Sequence, residues 1–289
     1  MTERKKVTIQ KLQRMKSDGT RICALGVYDT PMAVVADRIG IDLFIIGNSG
    51  PMSLLGYTDS TAVRPEDLLF MTRAVKRADP KAMIVATLPY MSYFGSKDRA
   101  VDTAAQFVRD GGADAVQCHA DRYTTENIQA IVRAGVPVLA HIGLRSVRKA
   151  EQSGFRVQGR TATAADEIVD DALALEKAGV FAVVAELIPA QLMGFLRKKL
   201  SVPALSLGSG PDADGIYQVS ADVVGFSVFP RPKTAAQFGN VRPMIEAAIG
   251  KFCAAVQTGE FPAKADERCL PPAERESLLK LMQRHSAHP

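Results

Sequence analysis

Eight times along this chain a short β-branched or apolar run gives way to a polar or glycine-bearing break. The strand-like runs fall at 22–27, 42–47, 83–88, 115–119, 136–141, 181–186, 204–208 and 223–228. Helical patterns fill the intervals at 31–39, 65–78, 97–111, 125–134, 164–178, 190–200 and 212–220, with a last one at 241–257. Strands that alternate with helices pair in parallel, because each crossover helix returns the chain to the same end of the sheet. Eight such units predict an α/β fold, a single closed (β/α)8 TIM-type barrel. An N-terminal helix over residues 1–20 precedes the barrel, which is expected to occupy 21–258. A tail at 259–289 follows, with one further helical stretch near 277–285 that packs on a neighbouring subunit or frays.

Composition narrows the function classes. A length of 289 residues suits one barrel of roughly 250 residues plus a tail. Apolar residues at 47% and charged residues at 23% supply an ordinary globular core. No uncharged apolar run approaches the roughly 18 residues that a membrane-spanning helix needs. The first six residues are charged and lack the apolar centre of a signal peptide, so a cytoplasmic protein is expected. Cys23, Cys118, Cys253 and Cys269 lie far apart without CxxC spacing, which argues against a zinc motif or a disulfide scaffold. The net charge of +5 is scattered and accompanies no nucleic-acid recognition motif. It reads as a solvated surface, or as attraction for an anionic small-molecule substrate.

In such a barrel the chemistry gathers at the C-terminal ends of the strands. The residues there are Tyr28 and Asp29, Asn48 and Ser49, Thr87 and Tyr90, Gln117 and His119, His141, Glu186, Gly208-Ser209-Gly210, and Ser227. Glu186 closes an apolar run and precedes Leu187, Ile188 and Pro189; a carboxylate there is costly unless paired or used. It is either bonded to loop amides or a general base, and burial would raise its pKa toward the useful range. His141 reads as a structural residue or a site residue depending on its neighbours. His119 is open between a substrate or metal role and a hydrogen-bonded wall position. Gly208-Ser209-Gly210 is a weak phosphate-loop signal and a common turn, and Cys118 reads as core. The connection from His141 to about Ala164 far exceeds the usual 2–6 residues and is expected to be functional or disordered.

With these strand ends named, the chain resembles the ketopantoate hydroxymethyltransferases (3-methyl-2-oxobutanoate hydroxymethyltransferases), within the phosphoenolpyruvate-mutase and isocitrate-lyase group of barrels. The resemblance runs from about Val7 to Pro262. It is carried by Tyr28-Asp29, Gly47-Asn48-Ser49, Leu88-Pro89-Tyr90-Met91-Ser92-Tyr93, His141-Ile142-Gly143-Leu144 and the Gly154–Arg160 segment. Asp171–Glu176, Glu186-Leu187-Ile188-Pro189 and Gly208-Ser209-Gly210 add to it. It implies a homo-oligomeric enzyme of pantothenate biosynthesis that transfers a hydroxymethyl group from 5,10-methylenetetrahydrofolate to 3-methyl-2-oxobutanoate. A divalent magnesium ion polarises the 2-oxo acid, and a glutamate makes the enolate.

Carried over residue by residue, the family's base falls on Glu186 and its substrate-binding positions on Ser49, Gln117 and His141. Its metal-site positions fall on Asn48, Thr87 and His119. The chain departs from the pattern there: Asn48 and Thr87 stand for aspartates, His119 for a glutamate, and Gln117 for a lysine. Magnesium prefers hard, charged oxygen ligands, and a softer metal finds only one imidazole, so a weakened metal site is expected. Two further readings follow from that departure. One is a lyase, aldolase or decarboxylase acting on another small acid without metal. The other is a non-catalytic relative that binds a small anion.

Overall fold

The computed structural model describes residues 4–148, 150–152, 154–229 and 231–286. Parts of the expectations for the two termini, residues 1–3 and 287–289, lie outside the described residues.

The strands are β1 (Ile22–Gly26), β2 (Leu43–Ile46), β3 (Met83–Thr87), β4 (Ala115–His119), β5 (Val138–Gly143), β6 (Ala182–Glu186), β7 (Ala204–Leu207) and β8 (Gly215–Val219). All neighbours pair in parallel, and β8 closes on β1, from Ile22 opposite Gly215 to Gly26 opposite Val219. Strands β2 to β5 are buried at every position, because helices cover one face and the barrel interior fills the other. Alternation decides which side chain goes where. Leu43 and Ile45 join Val85, Leu139, Val184 and Leu205 inside the barrel. Phe44 and Ile46 point outward, among Ile84, Val116 and Ala140 in the larger cluster beneath the helices.

The N-terminal helix, Ile9–Ser17, is capped by Thr8, whose hydroxyl accepts from the Lys11 amide. Its buried Leu12 and Met15 join the inner cluster together with Ile22, Met83 and Phe181, all at strand starts. The segment therefore stoppers the end of the barrel opposite the strand termini. Three of its lysines pair with aspartates lying just before strands: Lys6 with Asp114 (2.7 Å), Lys11 with Asp42 (3.3 Å) and Lys16 with Asp214 (2.7 Å).

Seven strands lie where the sequence predicts them, within two residues at either end. The eighth does not. Residues 212–220, expected to be helical, contain β8, and residues 223–228, expected to be the strand, contain the end of a short helix, Ser220–Val224, and irregular chain. The cause is the β7–β8 connection, which spans only 208–214 and carries no helix. A parallel crossover usually needs a dozen residues or more, so counting helices between strands skips this one. Gly215 admits the close approach: a Cβ there would lie 2.3 Å from the carbonyl oxygen of Ile22. Ser227 accordingly ends no strand.

The chain divides into two compact units, Met1–Gly239 and Asn240–Pro289. The boundary comes earlier than the expected residue 258, so the helix Arg242–Thr258 belongs to the second unit. That helix and Pro272–Ser286 have no buried residues; Met244, Ile245, Ile249, Phe252 and Val256 form an exposed apolar stripe along the first. Among the described residues, no helix is long and apolar enough to cross a membrane.

Candidate active site

Two glycines make room at the strand ends. A Cβ on Gly26 would lie 2.3 Å from the Tyr28 hydroxyl, and one on Gly47 would lie 3.4 Å from the Tyr217 hydroxyl, 3.5 Å from Ser49 Oγ and 3.6 Å from Thr87 Oγ1. Four hydroxyls, two from just past β1 and β2 and two from within β3 and β8, thus converge over bare backbone. Tyr28 Oη and Ser49 Oγ are 2.5 Å apart, and Tyr217 interacts with both. Burial pushes both phenols well above the ordinary tyrosine range, so they remain protonated.

From Thr87 a directed chain of hydrogen bonds crosses four strands. Thr87 Oγ1 donates to Gln117 Oε1 (2.6 Å), which leaves Gln117 Nε2 to donate to Nδ1 of His141 (3.3 Å). Nε2 of His141 then carries the ring hydrogen and donates it to Oε2 of Glu186 (2.8 Å). The geometry thereby selects one His141 tautomer, with its Nε2 hydrogen directed at the Glu186 carboxylate. Parallel pairing builds this chain, because it sets Thr87 beside Gln117 and His119 beside His141 in register.

The His119 ring stacks on His141, with centroids 4.2 Å apart and planes 20° from parallel. Burial first, then the neighbouring His141 and Arg145, pushes its pKa well below the usual histidine range, so His119 is neutral. Its Nδ1 is buried without a hydrogen-bond partner, as are both Oδ1 and Nδ2 of Asn48. Behind this layer Tyr93 Oη donates to the His119 carbonyl (2.8 Å), and buried Asp121 accepts from Arg145 (2.6 Å) and from Arg148.

The backbone around Glu186 is tightly held. Its carbonyl accepts from Leu144 N (2.8 Å), and Leu187 follows with φ 47°, a strained value for leucine, while bonding Leu207 and Gln158 through its N and O. Ser209 Oγ donates to the Ala185 carbonyl (2.8 Å) and accepts from Ile188 N (3.0 Å). The Gly208-Ser209-Gly210 turn is therefore a brace for the Glu186 segment, not an anion loop. The Gln158 bond also ties the long connection back to this site. Within that connection Gln152 bridges the Arg145 amide and the Gly143 carbonyl; Lys149 and Ser153 lie outside the described residues.

Of the residues singled out in the sequence, Asn48, Ser49, Thr87, Gln117, His119, His141 and Glu186 come together at one end of the barrel. Asp29 caps the helix Thr30–Ile39, accepting from Met32 N (2.8 Å), Tyr90 is exposed, and Cys118 is core. Tyr217 was missed, since its segment read as a helix; the alternation of Ile216, Tyr217 and Gln218 after a glycine was the available signal. Asp121 and Arg145 were missed because loop residues carry no periodic signature.

Magnesium does not fit this donor set. Glu186 is the one acidic side chain in it and is bonded to His141, while Thr87 and Gln117 are bonded to each other. An amide and an imidazole remain, poor partners for a hard cation. Among the described residues, no group of three or more His, Cys, Asp or Glu could hold a metal ion.

Solved structures of like fold include phosphonopyruvate hydrolase (TM-score 0.59, 15% identity, covering 98% of this chain and 99% of that one). Another is 2,3-dimethylmalate lyase, a member of the PEP mutase/isocitrate lyase superfamily (TM-score 0.56, 16% identity, 96% of each chain). The fold and its strand-end site define an α/β-barrel enzyme. A family model described as ketopantoate hydroxymethyltransferase matches residues 6–264. The 3-methyl-2-oxobutanoate hydroxymethyltransferase of Moorella thermoacetica is 40% identical over 91% of this chain and 97% of its own length. That of Ignicoccus hospitalis is 36% identical over 90% and 98%. The chain belongs to the ketopantoate hydroxymethyltransferase family.

Proposed function

We propose that this protein transfers a hydroxymethyl group from 5,10-methylenetetrahydrofolate to C3 of 3-methyl-2-oxobutanoate, or of a closely related 2-oxo acid, through an enolate formed by Glu186. The observation that carries the reading is the 2.8 Å contact between Glu186 Oε2 and His141 Nε2, with His141 fixed from behind by Gln117. A base must be ionised, aimed and kept from water until substrate arrives. The ring hydrogen of His141 holds Oε2, and among the described contacts Oε1 carries no hydrogen bond, which leaves it for the carbon-bound proton. Tyr28, Ser49 and Tyr217 supply neutral donors for the substrate carboxylate. Gln117 acts on the substrate only through His141, and Thr87 only through Gln117.

Family membership supports the folate co-substrate and a place in pantothenate synthesis. The reading carries with it a cytoplasmic homo-oligomer; four free cysteines and the apolar stripe of Arg242–Thr258 support it. Its partner is a small acid, with neither nucleic acid nor membrane required. The test is proton NMR of 3-methyl-2-oxobutanoate in D2O with methylenetetrahydrofolate. Deuterium enters C3 and the hydroxymethylated product accumulates with wild type, and neither occurs with Glu186→Gln. Wild type that does neither, with or without added Mg²⁺, would overturn the proposal.

The neutral donor set around Asn48, Thr87 and His119 favours one second reading, in which the same base and enolate serve C–C bond cleavage of another small acid. Exchange at C3 without hydroxymethylated product would mark it.

A further inference from the structure

We propose that Asn48 and His119 form an oxyanion pocket that receives the C2 oxygen of the 2-oxo acid, so that two neutral hydrogen-bond donors do the work of a cation. This rests on the enolate reading above.

The argument starts from unsatisfied atoms. Buried polar groups nearly always have partners, and leaving one without is costly. Both polar atoms of Asn48 and Nδ1 of His119 lack one, although the residues are only 5% and 4% exposed. Their neighbours do not share this state: Thr87, Gln117, His141, Ser49 and Tyr28 are all engaged. Unpartnered and satisfied polar groups therefore share one rim of the barrel. Asn48 follows β2 and His119 ends β4, with the Thr87–Gln117 bond between them on β3 and β4.

Neither residue carries charge. His119 is neutral, for the burial and the flanking His141 and Arg145 already described. A neutral imidazole is a competent electrophile for enolisation and keeps its hydrogen throughout. The amide of Asn48 offers two N–H donors, and its Oδ1 can accept from a substrate hydroxyl or water. Donors aimed where charge develops stabilise the transition state more than the ground state.

The step balances without a further reactant. Glu186 takes the C3 proton, and the C–H pair becomes the C2–C3 π bond. The carbonyl π pair moves onto oxygen, where Asn48 Nδ2–H and a ring N–H of His119 hold it. Returning the proton, or a deuteron, restores the oxo acid.

The test uses EDTA-treated full-length protein, in two arms. Isothermal titration with oxalate, a planar enolate mimic, probes the pocket whatever reaction the enzyme runs. Metal-free wild type binds oxalate, and Asn48→Leu and His119→Phe each weaken it at least tenfold; His119→Phe keeps a ring against His141, and circular dichroism verifies folding. Deuterium exchange at C3 of 3-methyl-2-oxobutanoate survives EDTA in wild type and falls about 10²-fold in each variant, in kcat more than in KM. Oxalate binding or exchange that vanishes with EDTA and returns with Mg²⁺ overturns the pocket, as do folded variants that behave like wild type. Oxalate binding that depends on both residues, with no exchange under any condition, upholds the pocket and sinks the enolate reading.

Discussion

His119 and His141 lie face to face, 4.2 Å between ring centroids, yet only His141 has hydrogen-bond partners on both nitrogens. Two stacked imidazoles in a buried site cannot both hold a positive charge at modest cost. Both nitrogens of His141 are committed, Nδ1 accepting from Gln117 and Nε2 donating to Glu186, whereas Nδ1 of His119 has no partner. Burial, with His141 and Arg145 nearby, keeps the His119 ring neutral.

That division predicts a pH dependence of stability. The folded-state pKa of His119 lies well below its unfolded value of about 6.5. Below pH 6.5 the unfolded chain therefore binds more protons, so this residue's contribution is complete above pH 6.5 and is lost as pH falls toward the folded pKa. Stability should drop by up to about 1.4 kcal/mol per pH unit over that window from this residue alone. Urea denaturation at pH 7.5, 6.0 and 5.0 should give a shallower slope for His119→Phe than for wild type, and equal slopes would refute the assignment.

Gln117 sets the His141 tautomer, and Gln117→Glu should abolish that preference. A carboxylate there accepts from both Thr87 Oγ1 and His141 Nδ1–H, so the imidazole sits between two acids and becomes doubly protonated. Nitrogen-15 NMR of the imidazole should report this at neutral pH. With the base poised against a cation, kcat should fall by about 10²-fold or more. An unchanged His141 spectrum would rule out the tautomer role.

Gly143 is required beside the base. Its φ is 80°, and a Cβ there would lie 2.4 Å from the Glu186 carbonyl oxygen and 2.7 Å from Ile188 Cγ2. Gly143→Ala should destabilise the fold by about 1–3 kcal/mol and lower kcat by shifting Glu186, with little change in the affinity for oxalate. Thermal denaturation and steady-state kinetics on one preparation measure both.

At the opposite end, Asp214 accepts from Lys16 (2.7 Å), from Arg197 (3.2 Å) and from the Ala204 amide (2.9 Å) while almost fully buried. Asp214→Ala should cost about 3 kcal/mol and lower Tm by roughly 5–10 °C. Kinetics of the folded fraction should match wild type, since the strand ends that carry the chemistry lie at the other rim.

Much of this was legible beforehand. Glu186, His141 and His119 are legible as strand ends from the apolar runs alone, since the run before each stops at the polar residue. The substituted positions Asn48, Thr87 and Gln117 were visible as departures from a family pattern. Their present partners were not. Thr87 and Gln117 satisfy each other, which a residue-by-residue comparison has no means of stating. Ser209 looked like part of a turn and proves to pin the base. Tyr217 was lost with the misplaced eighth strand, whose connection is too short to carry the helix that the counting rule expects.

The repeating unit, the barrel class, seven of the eight strands and the rim on which the polar residues stand all follow from the order of residues along the chain. Those features depend on local periodicity and on turn chemistry within a few residues. That Thr87, Gln117, His141 and Glu186 form one directed chain, and that Asn48 and His119 are left over from it, depends on the closed barrel. Lateral neighbours in a parallel barrel are a whole strand-and-helix unit apart along the chain. Hydrogen-bond partners on adjacent strands become neighbours only when the barrel closes in register.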